Sequence, residues 1–180
     1  MDDVYHQALT NAEFREEQSF RQTWVKWILL AVVALHLGIL VAIIVGQGGT
    51  QPAWDREAVV GAVSMAGSVV FLLALSWWIL SIRLVTEVHE DGLHIRFRGM
   101  FVNRHIPYQE IHRCEARTYH PILEYGGWGV RWGWRGGRAY NVSGNRGVQL
   151  ELADGKRLLI GSQRAGDLAA AIQRHLGKNA

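Results

Sequence analysis

The residues best suited to recognition chemistry cluster between Tyr125 and Gly147, where Tyr125, Trp128, Trp132, Trp134 and Tyr140 stand among eight glycines with Arg131, Arg135, Arg138 and Arg146 interleaved. Glycine lets a backbone turn sharply and approach another group closely, tryptophan offers a broad amphipathic face, and arginine pairs bidentately with carboxylate or phosphate. Together they describe a contact loop for a protein partner or for anionic lipid headgroups. They describe equally well a long β-hairpin whose tryptophans stack across strands.

Other chemistries find less support. His112 and Cys114 stand two apart, which on a regular strand puts them on one face, but His120 lies about 20 Å further along an extended chain, too far to close a metal site. Gly126-Gly127-Trp128-Gly129 opens no helix after a strand, so it is no dinucleotide fingerprint. Ser143, Asp154 and the histidines show no triad spacing. We therefore expect no catalytic residues, metal or cofactor. Nucleic acid would use the same stacking and charge chemistry as the Trp/Arg segment, but the membrane segments below exclude it as the expected partner.

The elements that must position these residues begin with two apolar runs. Trp27 to Val45 holds no charge and one ionisable residue, His36; at 1.5 Å per residue it reaches about 28 Å, the thickness of a bilayer core. Ala58 to Leu80 is uncharged and reaches about 34 Å, enough to span with tilt. Trp24, Trp27, Trp54, Trp77 and Trp78 fall at the segment ends like interfacial anchors. The first run is too long, and its leading tail too acidic, for a cleaved signal peptide. Ala31, Ala34, Gly38 and Ala42 in the first run, and Gly61, Ser64 and Ser68 in the second, recur as small-residue stripes that let helices approach closely in lipid. His36 faces away from the first stripe, so it either meets a second contact, such as another copy of the chain, or stays neutral beside water.

Charge fixes the expected orientation. Arg15, Arg21 and Lys26 precede the first run and Arg83 follows the second, whereas the loop between them carries only Arg56. The positive-inside rule then puts both termini in the cytoplasm of a multi-pass protein. Fifteen of the nineteen Lys and Arg residues lie from Arg83 onward against nine acids, a net charge of +6, while the first 82 residues carry −3. A basic domain tethered to a bilayer has anionic headgroups as one possible partner. Cys114 is the single cysteine, which excludes an intrachain disulfide and suits a reducing compartment.

The tail before the first run, with Val4, Leu9, Phe14 and Phe20 scattered among acids, reads as a loose helix. After Arg83 short β-prone runs alternate with turn residues: 84–89, 93–97, 100–106, 111–119, 128–132, 148–152 and 157–160, with Asp91-Gly92 and Asp154-Gly155 as hairpin turns. A helix over Gln163 to Leu176 follows, with Ser162 as cap, Leu168, Ile172 and Leu176 on one face, Arg174 and His175 in the last turn and Gly177 beyond. Seven strands and one closing helix is the order of a pleckstrin-homology-like (PH-like) barrel.

Particular segments carry a family resemblance. Ile106-Pro107-Tyr108-Gln109-Glu110-Ile111, Tyr125-Gly126-Gly127-Trp128-Gly129-Val130-Arg131, the stretch from Tyr140 to Leu150 and Ile160-Gly161-Ser162-Gln163-Arg164 resemble small bacterial membrane proteins with a PH-like domain after two transmembrane helices. The resemblance spans roughly residues 25 to 176 and implies a location in the bacterial inner membrane, but it implies no chemistry. Phosphoinositide-binding PH domains carry basic residues in the first hairpin loop, which here is Glu90-Asp91-Gly92.

The expected molecule is thus an α+β membrane protein: a cytoplasmic tail (1–24), a transmembrane helical hairpin (25–82) and a cytoplasmic PH-like antiparallel β barrel of about seven strands with a C-terminal helix (83–180). It is expected to bind or scaffold a protein partner, or itself, with anionic lipid sensing as the alternative and an enzyme as the third reading. Trp128, Arg131, Trp132, Trp134, Arg135, Arg138, Tyr140 and Arg146 are the candidate contact residues, and His36, Ser64 and Ser68 the intramembrane polar ones.

Overall fold

A computed structural model of the chain describes residues 12–20, 23–46, 56–134 and 137–177. It divides into two compact units, Arg21–Leu80 and the remainder, which joins the N-terminal stretch through Phe20 to Ser81 and beyond.

The helical unit holds α1 (Thr23–Gly46) and α2 (Arg56–Ser81). Within α2, Val59–Ser81 has a mean hydropathy of 2.2 and is 6% buried, which makes it long and apolar enough to cross a membrane. The described apolar part of α1, Lys26–Ala42, is shorter. The apolar side chains of Val59–Ser81 largely turn outward. Trp27, Trp77 and Trp78 are exposed, at 67%, 73% and 41%, while Trp54 lies outside the described residues. His36 donates Nδ1–H to the Val32 carbonyl at 2.9 Å, and Ser68 donates to the Met65 carbonyl at 2.7 Å. Both polar groups are thus satisfied by carbonyls within their own helices. Ser64 is exposed on α2. A Cβ at Gly38 or Gly61 would touch nothing, so the chain makes no close helix approach at these two stripe positions.

The second unit is α+β. Among the described residues nine strands run β1 (Phe14–Ser19), β2 (Arg83–His89), β3 (Gly92–Arg98), β4 (Val102–Ile106), β5 (Ile111–Thr118), β6 (Gly129–Trp132), β7 (Arg138–Asn141), β8 (Arg146–Leu152) and β9 (Arg157–Gly161), with a short α3 (Pro121–Tyr125) and the closing α4 (Ala165–Leu176). They form two sheets, β1-β2-β3-β4 and β5-β8-β9-β7-β6. The expected closed, antiparallel, seven-stranded barrel is corrected on three counts: the hydrogen-bonded ladder breaks into two sheets, β7 runs parallel to β9, and β1 and β7 are added.

The β1 strand comes from the tail expected to be a loose helix. Its inward residues are Phe14, Glu16 and Gln18, only 4%, 8% and 5% exposed, so its buried face is mostly polar. Glu16 accepts hydrogen bonds from Ser162 Oγ at 2.5 Å and from the Gln163 amide at 2.8 Å. Gln18 donates Nε2–H to the Gly161 carbonyl at 2.7 Å. These bonds replace the water lost by the Glu16 carboxylate and the Gln18 amide nitrogen, while Gln18 Oε1 is buried with no hydrogen-bond partner among the described residues.

One core lies between the sheets and under α4: Leu84, Val88, Leu93, Ile95, Phe97, Ile106, Val148, Leu150, Leu158 and Ile160 meet Leu168 and Ile172 of the helix. The expected helix is confirmed with Leu168 and Ile172 fully buried and Leu176 packed at the margin, but it starts two residues later than read and Arg164, with no side-chain cap bond, takes the cap position expected of Ser162. Each such side chain contributes about 1.5–3 kcal/mol. A smaller cluster of Tyr119, Tyr125, Ala139 and Leu159 fills the space where α3 folds over the second sheet.

Candidate functional site

The Trp/Arg segment divides into three groups. At the start of β6, Trp128 donates Nε1–H to the Gly144 carbonyl at 3.1 Å and Arg131 donates Nε–H to the Trp128 carbonyl at 2.9 Å. Tyr140 is buried in the core at 1% and receives a hydrogen bond from Arg138 Nη1 at 3.2 Å. Arg146 is exposed at the start of β8, opposite Thr118, and Arg135 lies outside the described residues. The third group is the hairpin tip. Trp132 and Trp134 are exposed at 69% and 83%, and Arg138, the cross-strand partner of Trp132, stacks its guanidinium 4.2 Å from the Trp132 ring centre.

The expected hairpin therefore exists, but its tryptophans do not stack on one another. Strand β6 is the edge of its sheet, and the tip closes through a Gly133 N–H to Gly137 carbonyl bond of 2.9 Å. The Trp134 amide bonds the Glu124 carbonyl of α3 at 3.2 Å. Gly137 has φ +94°, and a Cβ there would fall 2.8 Å from the Arg157 carbonyl oxygen, so glycine permits the close run of the tip against β9.

Beneath Trp132 opens a cavity of about 720 Å³ lined by Arg104, Trp132, Gly137, Arg138, Leu152, Gly155, Lys156, Arg157 and Leu158. Four of those side chains are cationic and none is a carboxylate. Lys156 is paired with Asp154 at 2.5 Å and Arg157 stands 3.8 Å from Glu151. Arg104 and Arg138 make no ion pair among the described residues. Such a lining suits an anionic group with an apolar neighbour, since arginine binds carboxylate or phosphate through a fixed fork.

A second cavity, about 560 Å³, lies on the α3 side between Arg117, Leu123, Glu124, Tyr125, Trp134 and Arg157. Its charges are matched. Arg117 Nη2 reaches Glu124 at 2.8 Å; burial pushes the Glu124 carboxyl up, but the hydrogen bonds from Arg117 and the His120 amide, with their charges, hold it below its ordinary value. Ile122 and Leu123 stand exposed on α3, the same helix whose Glu124 carbonyl holds the Trp134 amide, so the tip and α3 carry adjoining apolar surface.

The first sheet holds residues that sequence reasoning passed over. Asp91, His94 and His105 converge so that one ligand atom of each lies within 4.8 Å of the others. The burial of Asp91 pushes its carboxyl up, but the hydrogen bond from His94 and the charges of His94 and His105 hold it below the usual range. The available signal was the Asp91-Gly92 hairpin, whose register puts His94 across from Glu87 and, one strand on, from His105. The pair read instead, His112 and Cys114, separates. An irregularity in the β5–β8 register between Ile111 and Arg113 breaks the alternation, leaving His112 exposed and Cys114 buried at 7%. Burial pushes the Cys114 thiol up to about 12, which disfavours the thiolate that a nucleophile or metal ligand needs.

No family model, curated protein or solved structure matches the chain.

Proposed function

We propose that this chain is a membrane-anchored binding module of the bacterial inner membrane, not an enzyme, in which α1 and α2 cross the bilayer and a PH-like domain binds a protein partner on the cytoplasmic side. The observation that carries this reading is the hairpin tip: two tryptophans exposed at 69% and 83% above a cavity with four cations and no acid in its lining. Exposed tryptophan and arginine dominate interface energetics, and here they surround a pocket suited to an acidic side chain or C-terminal carboxylate. The distribution of Arg15, Lys26 and Arg83 against Arg56 supports cytoplasmic termini.

The test is co-purification from mild detergent with the wild-type chain and an Arg104→Gln/Arg138→Gln variant. Stoichiometric capture of a partner by the wild type, lost in the variant, is the expected result. Equal capture by both removes the cavity from the interface. For topology, a Thr50→Cys substitution in a Cys114→Ser background should react with an impermeant thiol reagent from outside intact cells, and failure to label would overturn the orientation.

A second reading, binding of anionic lipid headgroups, is favoured by a separate feature. Phe101 is 99% exposed with φ +53° in the turn between β3 and β4. A Cβ at Gly99 in that turn would lie 3.0 Å from Ile82, the residue that follows the apolar helix in sequence, and Arg83 and Arg98 face each other on the adjoining strands. Exposed aromatic and basic residues at such a junction match an interfacial anchor. Flotation with vesicles containing anionic lipid, but not with purely zwitterionic ones, would establish it.

A further inference from the structure

The outer face of β2–β4 brings three donor groups together by strand register. His94 and His105 are direct cross-strand partners with ring centres 4.4 Å apart, and Asp91 reaches both from the two-residue turn between β2 and β3. His94 Nε2 lies 3.1 Å from each Asp91 carboxylate oxygen, and His105 Nε2 lies 3.4 Å from Oδ2. A tetrahedral zinc with bonds of about 2.0–2.1 Å sets neighbouring ligand atoms about 3.3 Å apart, because a tetrahedron's edge is about 1.63 times its centre-to-corner length. The observed Asp–His separations fall on either side of that value.

Two further observations tie the arrangement to the backbone. Both histidines sit on paired strands, so their separation does not depend on loop placement. Gly92 has φ +146°, and a Cβ there would lie 2.5 Å from the Ile106 carbonyl oxygen and 2.8 Å from His105 Nε2; glycine leaves the imidazole room to turn inward. Both rings present the same atom, Nε2, to the centre, and binding an ion there displaces at most one proton per ring. Asp91 is 62% exposed, which leaves the outer position to solvent. His89 flanks the group edge-on, 4.9 Å from the His94 ring.

We propose that Asp91, His94 and His105 form a binding site for a divalent transition metal of the zinc type, with water completing the coordination. Two imidazoles and one carboxylate are a donor set of that class. The ion links the β2–β3 turn to β4 and so fixes the end of the first sheet. The site shares no residue with the Trp132 hairpin and does not rest on the binding reading given above.

The test uses the full-length chain without a histidine tag, in detergent micelles, titrated calorimetrically with zinc. One equivalent should bind, and Asp91→Asn, His94→Gln and His105→Gln should each weaken binding at least about tenfold. His112→Gln and His120→Gln should leave it unchanged. Cobalt(II) should give the intense visible absorption of a four-coordinate site in the wild type and not in the His94→Gln/His105→Gln double variant. Asp91→Asn lies in an exposed turn and retains the fold, which its circular dichroism checks. Absence of binding by the wild type, or undiminished binding by the double variant, overturns the assignment.

Discussion

The outer face of the first sheet and the tip of the β6–β7 hairpin solve opposite problems with similar residues. On the first sheet the ionisable groups are matched to one another. Glu87, with a side chain only 3% exposed, lies 2.8 Å from Arg15 Nη1 and pairs also with Arg96, and Asp91 is held between His94 and His105. At the hairpin tip Arg138 stacks on Trp132 and meets no acid, and both tryptophans face outward. Groups already satisfied within the chain have little left for a large partner, whereas unmatched cations beside exposed indoles retain both charge and apolar area for one. On the first sheet a turn carboxylate meets two strand-borne imidazoles at fixed separations, whereas at the tip the cross-strand pair Trp132 and Arg138 leaves its aromatic and cationic surface open.

The largest effect should come from removing what both regions share. Ile172→Asp places a charge in the core beneath both sheets and should cost at least about 3–5 kcal/mol, abolishing the cooperative melt at moderate temperature. Thermal denaturation followed by circular dichroism checks it, and a wild-type melting curve would mean that α4 does not close the core.

Glu87→Ala should come next, at about 2 kcal/mol. The loss is moderate because Arg15 and Arg96, 45% and 31% exposed, regain water when the carboxylate is gone. Chemical denaturation of the two proteins measures the difference, and an unchanged midpoint would make the first sheet's ion pairs ornamental.

A pH dependence separates matched from unmatched charge more finely. The folded chain holds Glu124 below the ordinary value of 4.5, so its contribution is fully present above pH 4.5 and is lost as pH falls through the lower folded value. Glu124→Gln should therefore lower the melting temperature slightly at pH 7, and the gap to the wild type should close below pH 4.5. A gap that persists in acid would assign the effect to packing of α3 instead.

The smallest stability effect should be at the tip. Trp134→Ala should leave the folding stability within about 0.5 kcal/mol of the wild type, as for other exposed positions, while reducing partner capture. A clear loss of stability would turn the tip into a packed element and erase its contrast with the first sheet.

What the sequence determined by itself is what local pattern encodes. Continuous apolarity between Val59 and Leu80 is enough to specify a membrane-length helix, because no tertiary contact is needed to satisfy its backbone. Asp91-Gly92 and Asp154-Gly155 announced two hairpins, and the spacing of Leu168 and Ile172 announced the helix that packs on the core, since periodic burial is written in periodic side chains. The concentration of tryptophan, arginine and glycine between Tyr125 and Gly147 was legible from residue type alone. Tertiary structure decided the rest. The strand β1 hides its role because Glu16 and Gln18 bury polar atoms that only Ser162, Gln163 and Gly161, some 143 to 147 residues away, can satisfy. The parallel pairing of β7 with β9, the two-sheet division and the addition of Arg104 to the Trp132 cavity depend on which edges meet in space. The convergence of Asp91, His94 and His105 required three neighbouring strands to take one register, and no motif spacing records a contact that exists only after β2, β3 and β4 have paired.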